Sequence, residues 1–87
     1  MTDRNKNILI IAKNNQAEAL RMAGGLSLLS DIVKVMVLGK LEQSPAVAQQ
    51  IEVLEFAEVP FEALEDPASW NAKLAEGMVH SDVVYML

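Results

Sequence analysis

The chain contains no cysteine in 87 residues. That absence removes disulfides, thiolate metal ligation and cysteine nucleophiles together. Aromatic residues make up only 5%, so aliphatic side chains must fill the core. Histidine occurs once. One imidazole without a recognisable carboxylate cluster is a poor basis for a metal centre, and neither metal nor cofactor is expected. No apolar run approaches the ~20 residues of a membrane-spanning helix. The run from Ile8 to Ala12, closed by Lys13-Asn14-Asn15, is too short for a secretory signal. These features predict a cytoplasmic protein with no membrane partner. Basic residues number seven against twelve acidic ones, for a net charge of −5. Phosphate recognition needs clustered Lys and Arg, so nucleic acid is not expected as a partner.

What is abundant is apolar character: 52% of residues are hydrophobic and 22% charged. A chain of this length forms one domain, here 1–87, and domains of such size bury only about 60–65% of their unfolded surface. The excess of apolar side chains must therefore go into a helix-covered parallel sheet or a subunit interface.

The punctuation along the chain places the elements. Asn7 to Ala12 is a continuous apolar run, the mark of a strand covered on both faces. Asn14 or Asn15 can cap the helix that follows, from about Gln16 to Leu29. Ser30-Asp31 is read as a turn, and Ile32 to Leu38 as a second strand. Ser44-Pro45 caps a second helix with proline at its first position, buried through Val47, Ile51 and Leu54 with Ala48 and Phe56 alongside. The stretch Glu58-Val59-Pro60-Phe61 reads as a proline-bearing edge strand. Asp66-Pro67 opens a third helix carrying Trp70, Leu74 and Met78, and Val83 to Leu87 is a last buried strand. The alternation βαβαβαβ predicts an α/β fold with a four-stranded parallel sheet. Putting the first strand at the centre and the proline-bearing strand at an edge gives the order 3-2-1-4.

The first helix is apolar around most of its girth. Only Glu18, Arg21 and Gly25 form a polar stripe on it. A helix of that kind is buried on more than one side. Gly24-Gly25 in its interior costs about 1 kcal/mol per glycine relative to alanine, a cost tolerated where another backbone approaches closely. Leu20, Ala23 and Gly24 are therefore candidates for a subunit contact. Trp70 joins them, because Trp is enriched at interfaces, although a packing role on the third helix accounts for it equally well.

Ligands of open parallel sheets bind beyond the carboxyl ends of the strands. That edge carries Lys13, Asn14, Asn15 and Lys40, which together with a helix N-terminus can hold a small anion. The glycine-rich fingerprint and the P-loop are both absent, and ordinary loop lysines with an Asn cap account for the same residues. His80-Ser81-Asp82 invites a triad reading. Neighbours in sequence rarely converge, however, and the entry end of a strand is the wrong edge of the sheet. Glu52, Glu55, Glu58, Glu62, Glu65 and Asp66 read as a solvated surface.

The strand NILIIA, the helix EALRMAGGLSLL and the strand VKVMVLG, followed more loosely by IEVLEFAEV and DVVYML, resemble the DsrE/DsrF/DsrH-like family. This is a group of small α/β proteins that includes the sulfur-relay subunits TusB, TusC and TusD. In length the chain is nearest the TusB/DsrH branch. The resemblance implies a parallel sheet flanked by helices, assembly into homo- or hetero-oligomers with related subunits, and sulfur handling through a persulfide cysteine. With no cysteine to carry the persulfide, it implies a non-catalytic subunit accessory to sulfur relay. The alternative reading is a small anion- or nucleotide-binding module at the carboxyl edge.

Overall fold

The β-branched run at the start of the chain becomes the centre of the sheet. The computed structural model describes residues 6–28 and 32–87, so the expected turn at Ser30-Asp31 and the end of the first helix at Leu29 lie outside the described residues. The elements are β1 (Asn7–Ala12), α1 (Gln16–Ser27), β2 (Ile32–Leu38), α2 (Pro45–Phe56), β3 (Phe61–Leu64), a 3-10 turn over Pro67–Ser69, α3 (Trp70–Val79) and β4 (Val83–Met86). All pairings are parallel and the strand order is β3-β2-β1-β4, as the alternation of elements predicts.

Side chains just before α1, α2 and the 3-10 turn fix where each of them starts. Asn15 Oδ1 accepts from Glu18 N at 3.4 Å, and Ser44 Oγ from Val47 N at 3.2 Å. Asp66 Oδ1 accepts from Ala68 N at 3.1 Å, opening the 3-10 turn that leads into α3. Each bond satisfies a donor that the first helical turn leaves without a partner.

Two crossovers run from β1 outward to β3, and one returns to β4. Crossovers of one hand therefore put α1 and α2 on one face and α3 on the other. The packing follows that division. Ile8, Ile10 and Ala12 of β1 and Val33, Val35 and Val37 of β2 meet Ala19, Leu20 and Ala23 of α1 and Val47 and Leu54 of α2. Leu9, Ile11, Met36 and Leu64 form the opposite core, with Trp70 and Leu74 of α3 packed against it. Both faces of β1 are covered, and Leu9, Ile10 and Ile11 are wholly buried.

The second body that α1 meets is α2 of the same chain. At Gly24 a β-carbon would lie 3.4 Å from Val53 Cγ1 and 3.7 Å from Leu54 Cδ2, so α2 does approach closely there, whereas Gly25 faces open space. Leu20 and Ala23 are fully enclosed. These three expected interface residues are therefore corrected to core positions: the apolar girth of α1 is covered by the sheet and α2. Trp70 is half-buried, with its indole N–H donating to Leu64 O at 2.6 Å, and it takes the packing role.

Three further expectations change. The third strand starts at Phe61, because the chain leaves α2 through a tight C-terminal motif at Glu58 instead of extending there. Phe56, expected beside the buried face of α2, is 92% exposed. The last strand is not buried: Val84, Tyr85 and Met86 are exposed by 39%, 39% and 54%. For Val84 and Met86, which lie beside Leu9 and Ile11 on the α3 face, the reason is the seat of α3. Its Gly77 packs on Met36 of β2 and Leu9 of β1, which leaves the β4 end of that face uncovered.

Candidate functional site

At the carboxyl edge, β1 ends in a turn whose donors are already engaged. Lys13 N and Asn14 N both donate to Leu87 O, at 2.7 and 2.9 Å. Asn15 uses its side-chain oxygen to cap α1. The neighbouring loop after β2 is held by Gln16, which is buried at 7% exposure. Its Nε2 donates to Lys40 O at 2.8 Å, and its Oε1 accepts from Glu42 N at 2.8 Å. The fold thus brings Lys13, Asn14, Asn15 and Lys40 to one edge, with all four exposed. Gln16 is the structural residue that the sequence reading missed. A glutamine at the first helical position, directly after the Asn run, was the available signal.

Two features at that edge oppose an anion. Backbone N–H groups that would cradle one serve Leu87 O, and Glu18 stands in the first turn of α1. Glu18 also accepts from Arg21, and that hydrogen bond together with the carboxylate charge holds the guanidinium above its ordinary pKa. A groove of about 480 Å³ beside the loop after β2 is lined in part by Leu41, Glu42, Ser44, Pro45 and Ile51 and by none of the four candidates.

The amino edge holds a cleft of about 310 Å³ between the end of α3 and the starts of β1 and β2, lined in part by Lys34, Glu76, His80 and Ser81. No relay forms in it. Ser81 Oγ donates to Gly77 O at 2.7 Å, and Asp82 Oδ2 accepts from Asn7 N at 2.8 Å. Both partners of a triad are therefore directed away from His80. Among the described residues no group of three or more His, Asp or Glu side chains is placed to hold a metal ion. Among the described residues no helix is long and apolar enough to cross a membrane. Of the acidic residues after Glu52, Glu62 is half-buried and pairs with Lys73 at 3.7 Å, and the others are exposed.

The remaining feature is an edge of the sheet. Among the described residues β4 pairs with β1 alone, on one side. Val84 lies beside Leu9 and Met86 beside Ile11, on the α3 face, while Tyr85 lies beside Ile10 on the α1/α2 face. Uncharged side chains on both faces and unpaired backbone groups along the rim distinguish this strand from the rest of the surface.

No family model matches the chain, and no curated protein matches it. Among solved structures the chain is similar to the yeast protein ynu0, YNL200c, with a TM-score of 0.62 and 24% identity over 84% of this chain. The match spans 30% of the yeast chain, less than a third of its length, and at this identity it shows a shared α/β fold.

Proposed function

We propose that this chain is a non-catalytic α/β subunit whose work is association through the edge of β4. The carrying observation is the exposure of Val84, Tyr85 and Met86 on a strand with one open side. An apolar, uncharged edge strand is a template for adding another strand, and proteins that do not use such an edge blunt it with charge or proline. The separate hydrogen-bond partners of Ser81 and Asp82 leave His80 without a triad. The resemblance to DsrE-like proteins supports an accessory place in sulfur relay, with the persulfide carried by a partner that has the cysteine this chain lacks. The test is mass in solution, for the chain alone and co-expressed with the products of its neighbouring genes. A higher-mass species that dissociates in a Met86→Lys variant supports the reading. A monomer in both settings ends it.

A second reading, a small-anion module, is favoured by the convergence of Lys13 and Lys40 beside the N-terminus of α1. It requires that phosphate or a nucleotide raise the melting temperature, and that the Lys13→Ala/Lys40→Ala double variant lose the effect. An anion and nucleotide screen without a shift removes it.

A further inference from the structure

We infer that the cleft at the amino edge binds a free α-amino acid with a large aliphatic side chain. Its ammonium group sits at the last turn of α3 and its carboxylate on Lys34. None of the residues lining the cleft belongs to β4, so this binding does not depend on the association proposed above.

The seat of α3 makes the cleft. Gly77 rests on Met36 and Leu9. Alternate residues of a strand share a face, so Lys34 and Ile32 continue the Met36 side of β2 toward the amino edge. Lys34 lies beside Leu9 and Ile32 beside Asn7 in the register. The helix ends at Val79, and Lys34 and Ile32 are both exposed. About 310 Å³ lies between the end of α3 and a floor that includes Ile8, Ile32, Val33 and Pro60. That volume is at the small end of ligand clefts, which run from about 300 to 1,000 Å³.

The polar groups of the cleft select its ligand. Its backbone and hydroxyl groups are largely engaged: Asn7 N and O both bond Asp82, and Ser81 Oγ bonds Gly77 O. The two charged side chains are not. Among the described residues neither Lys34 nor Glu76 is in an ion pair, whereas Lys73, the cation of α3, is taken by Glu62. Lys34 and Glu76 line one cleft yet stand too far apart to pair with each other, which leaves room for a molecule between them. Glu76 adds a carboxylate to the negative end of α3, and no basic residue stands in the last turn of that helix. An ammonium group is what that end lacks. A simple anion would meet Glu76 and the helix end, and a simple cation would meet Lys34. A molecule with both charges satisfies both sides through charge-assisted hydrogen bonds. An aliphatic body attached to it then covers Ile32 and Pro60.

The single histidine of the chain lines this cleft. In protein without a histidine tag, the His80 imidazole is therefore the only signal of its kind in an NMR spectrum. Leucine is the probe, and a saturable shift of the His80 resonances is expected. N-acetyl-leucine lacks the ammonium and leucinamide lacks the carboxylate, so each should bind about tenfold more weakly than leucine. Lys34→Gln and Glu76→Gln, both at exposed positions, should each raise the dissociation constant for leucine about tenfold. Lys13→Ala, at the opposite edge of the sheet, should leave it unchanged. The absence of a saturable shift with leucine overturns the site, and so does binding of the two blocked compounds as tight as that of leucine. Leucine binding that is lost in Lys13→Ala and kept in Lys34→Gln puts the ligand at the carboxyl edge and overturns it equally.

Discussion

Gly77 of α3 lies over Met36 of β2 so closely that a β-carbon on it would come 2.8 Å from Met36 Cε and 3.1 Å from Leu9 Cδ2. The helix reaches the sheet at this point because no side chain intervenes. Gly77→Ala is expected to destabilise the protein by about 1–3 kcal/mol, the usual cost of overfilling a packed core. The measurement is urea unfolding. The loss falls toward the lower figure if the flexible end of Met36 swings aside, and an unchanged midpoint contradicts the contact.

Gly25 makes the opposite case. It sits inside α1, is exposed, and a β-carbon there meets nothing within 4 Å. Gly25→Ala should stabilise by about 1 kcal/mol from helix propensity alone. Paired with the previous variant in the same assay, it separates packing from backbone cost.

Glu58 ends α2 in the left-handed region, at φ 60°. Glu58 N donates to Glu55 O and Val59 N to Leu54 O, the pair of bonds of a Schellman motif. Glycine is the residue suited to that conformation, and a carboxylate is misplaced at the negative end of a helix. Glu58→Gly is expected to raise stability by about 0.5–1 kcal/mol. A lowered melting temperature would contradict the assigned backbone conformation.

Gln16 bridges the first turn of α1 to the loop after β2 through Lys40 O and Glu42 N. Truncation to alanine leaves both groups without that partner, at a cost of about 1–3 kcal/mol. Hydrogen exchange at Glu42 should quicken in Gln16→Ala. Protection equal to the parent would show that the bond does not order the loop.

Trp70 donates its indole N–H to Leu64 O. Trp70→Phe keeps most of the apolar body and loses the bond, for an expected loss of about 1 kcal/mol. As the chain has a single tryptophan, the emission of the parent reports α3 docking without interference, and a red shift should accompany α3 release.

The architecture was legible because each local signal had one physical reading. NILIIA is apolar without interruption and is covered on both faces. Asn15, Ser44 and Asp66 cap where their side chains can reach the next turn. The strand order followed from the central first strand and the proline before the third. Less legible was what covers an apolar surface. The girth of α1 is the same in sequence whether α2 or another chain lies on it, so Leu20, Ala23 and Gly24 pointed to an interface and proved to be core. Val83 to Met86 misled in the opposite direction, since an apolar run does not record whether a helix is seated above it. The displaced third strand has a separate cause. The left-handed Glu58 interrupts the extended stretch, and no glycine marks the place. For the carboxyl edge, the sequence brought the four candidates together, but the bonds of Leu87 O that occupy the turn join residues far apart in the chain and leave no local trace.

Asn7 and Asp82 exchange hydrogen bonds across 75 positions of sequence: Asn7 N donates to Asp82 Oδ2, and Asp82 N to Asn7 O. The kinetic consequence is that the central strand waits for the last one. β1 can pair with β2 after closing one short crossover, whereas its other side stays open until the rest of the chain has been ordered, and long closures are slow. The β4 amides should gain protection last in pulse-labelled refolding, and during that interval two edges of β1–β2 are exposed to the wrong neighbour.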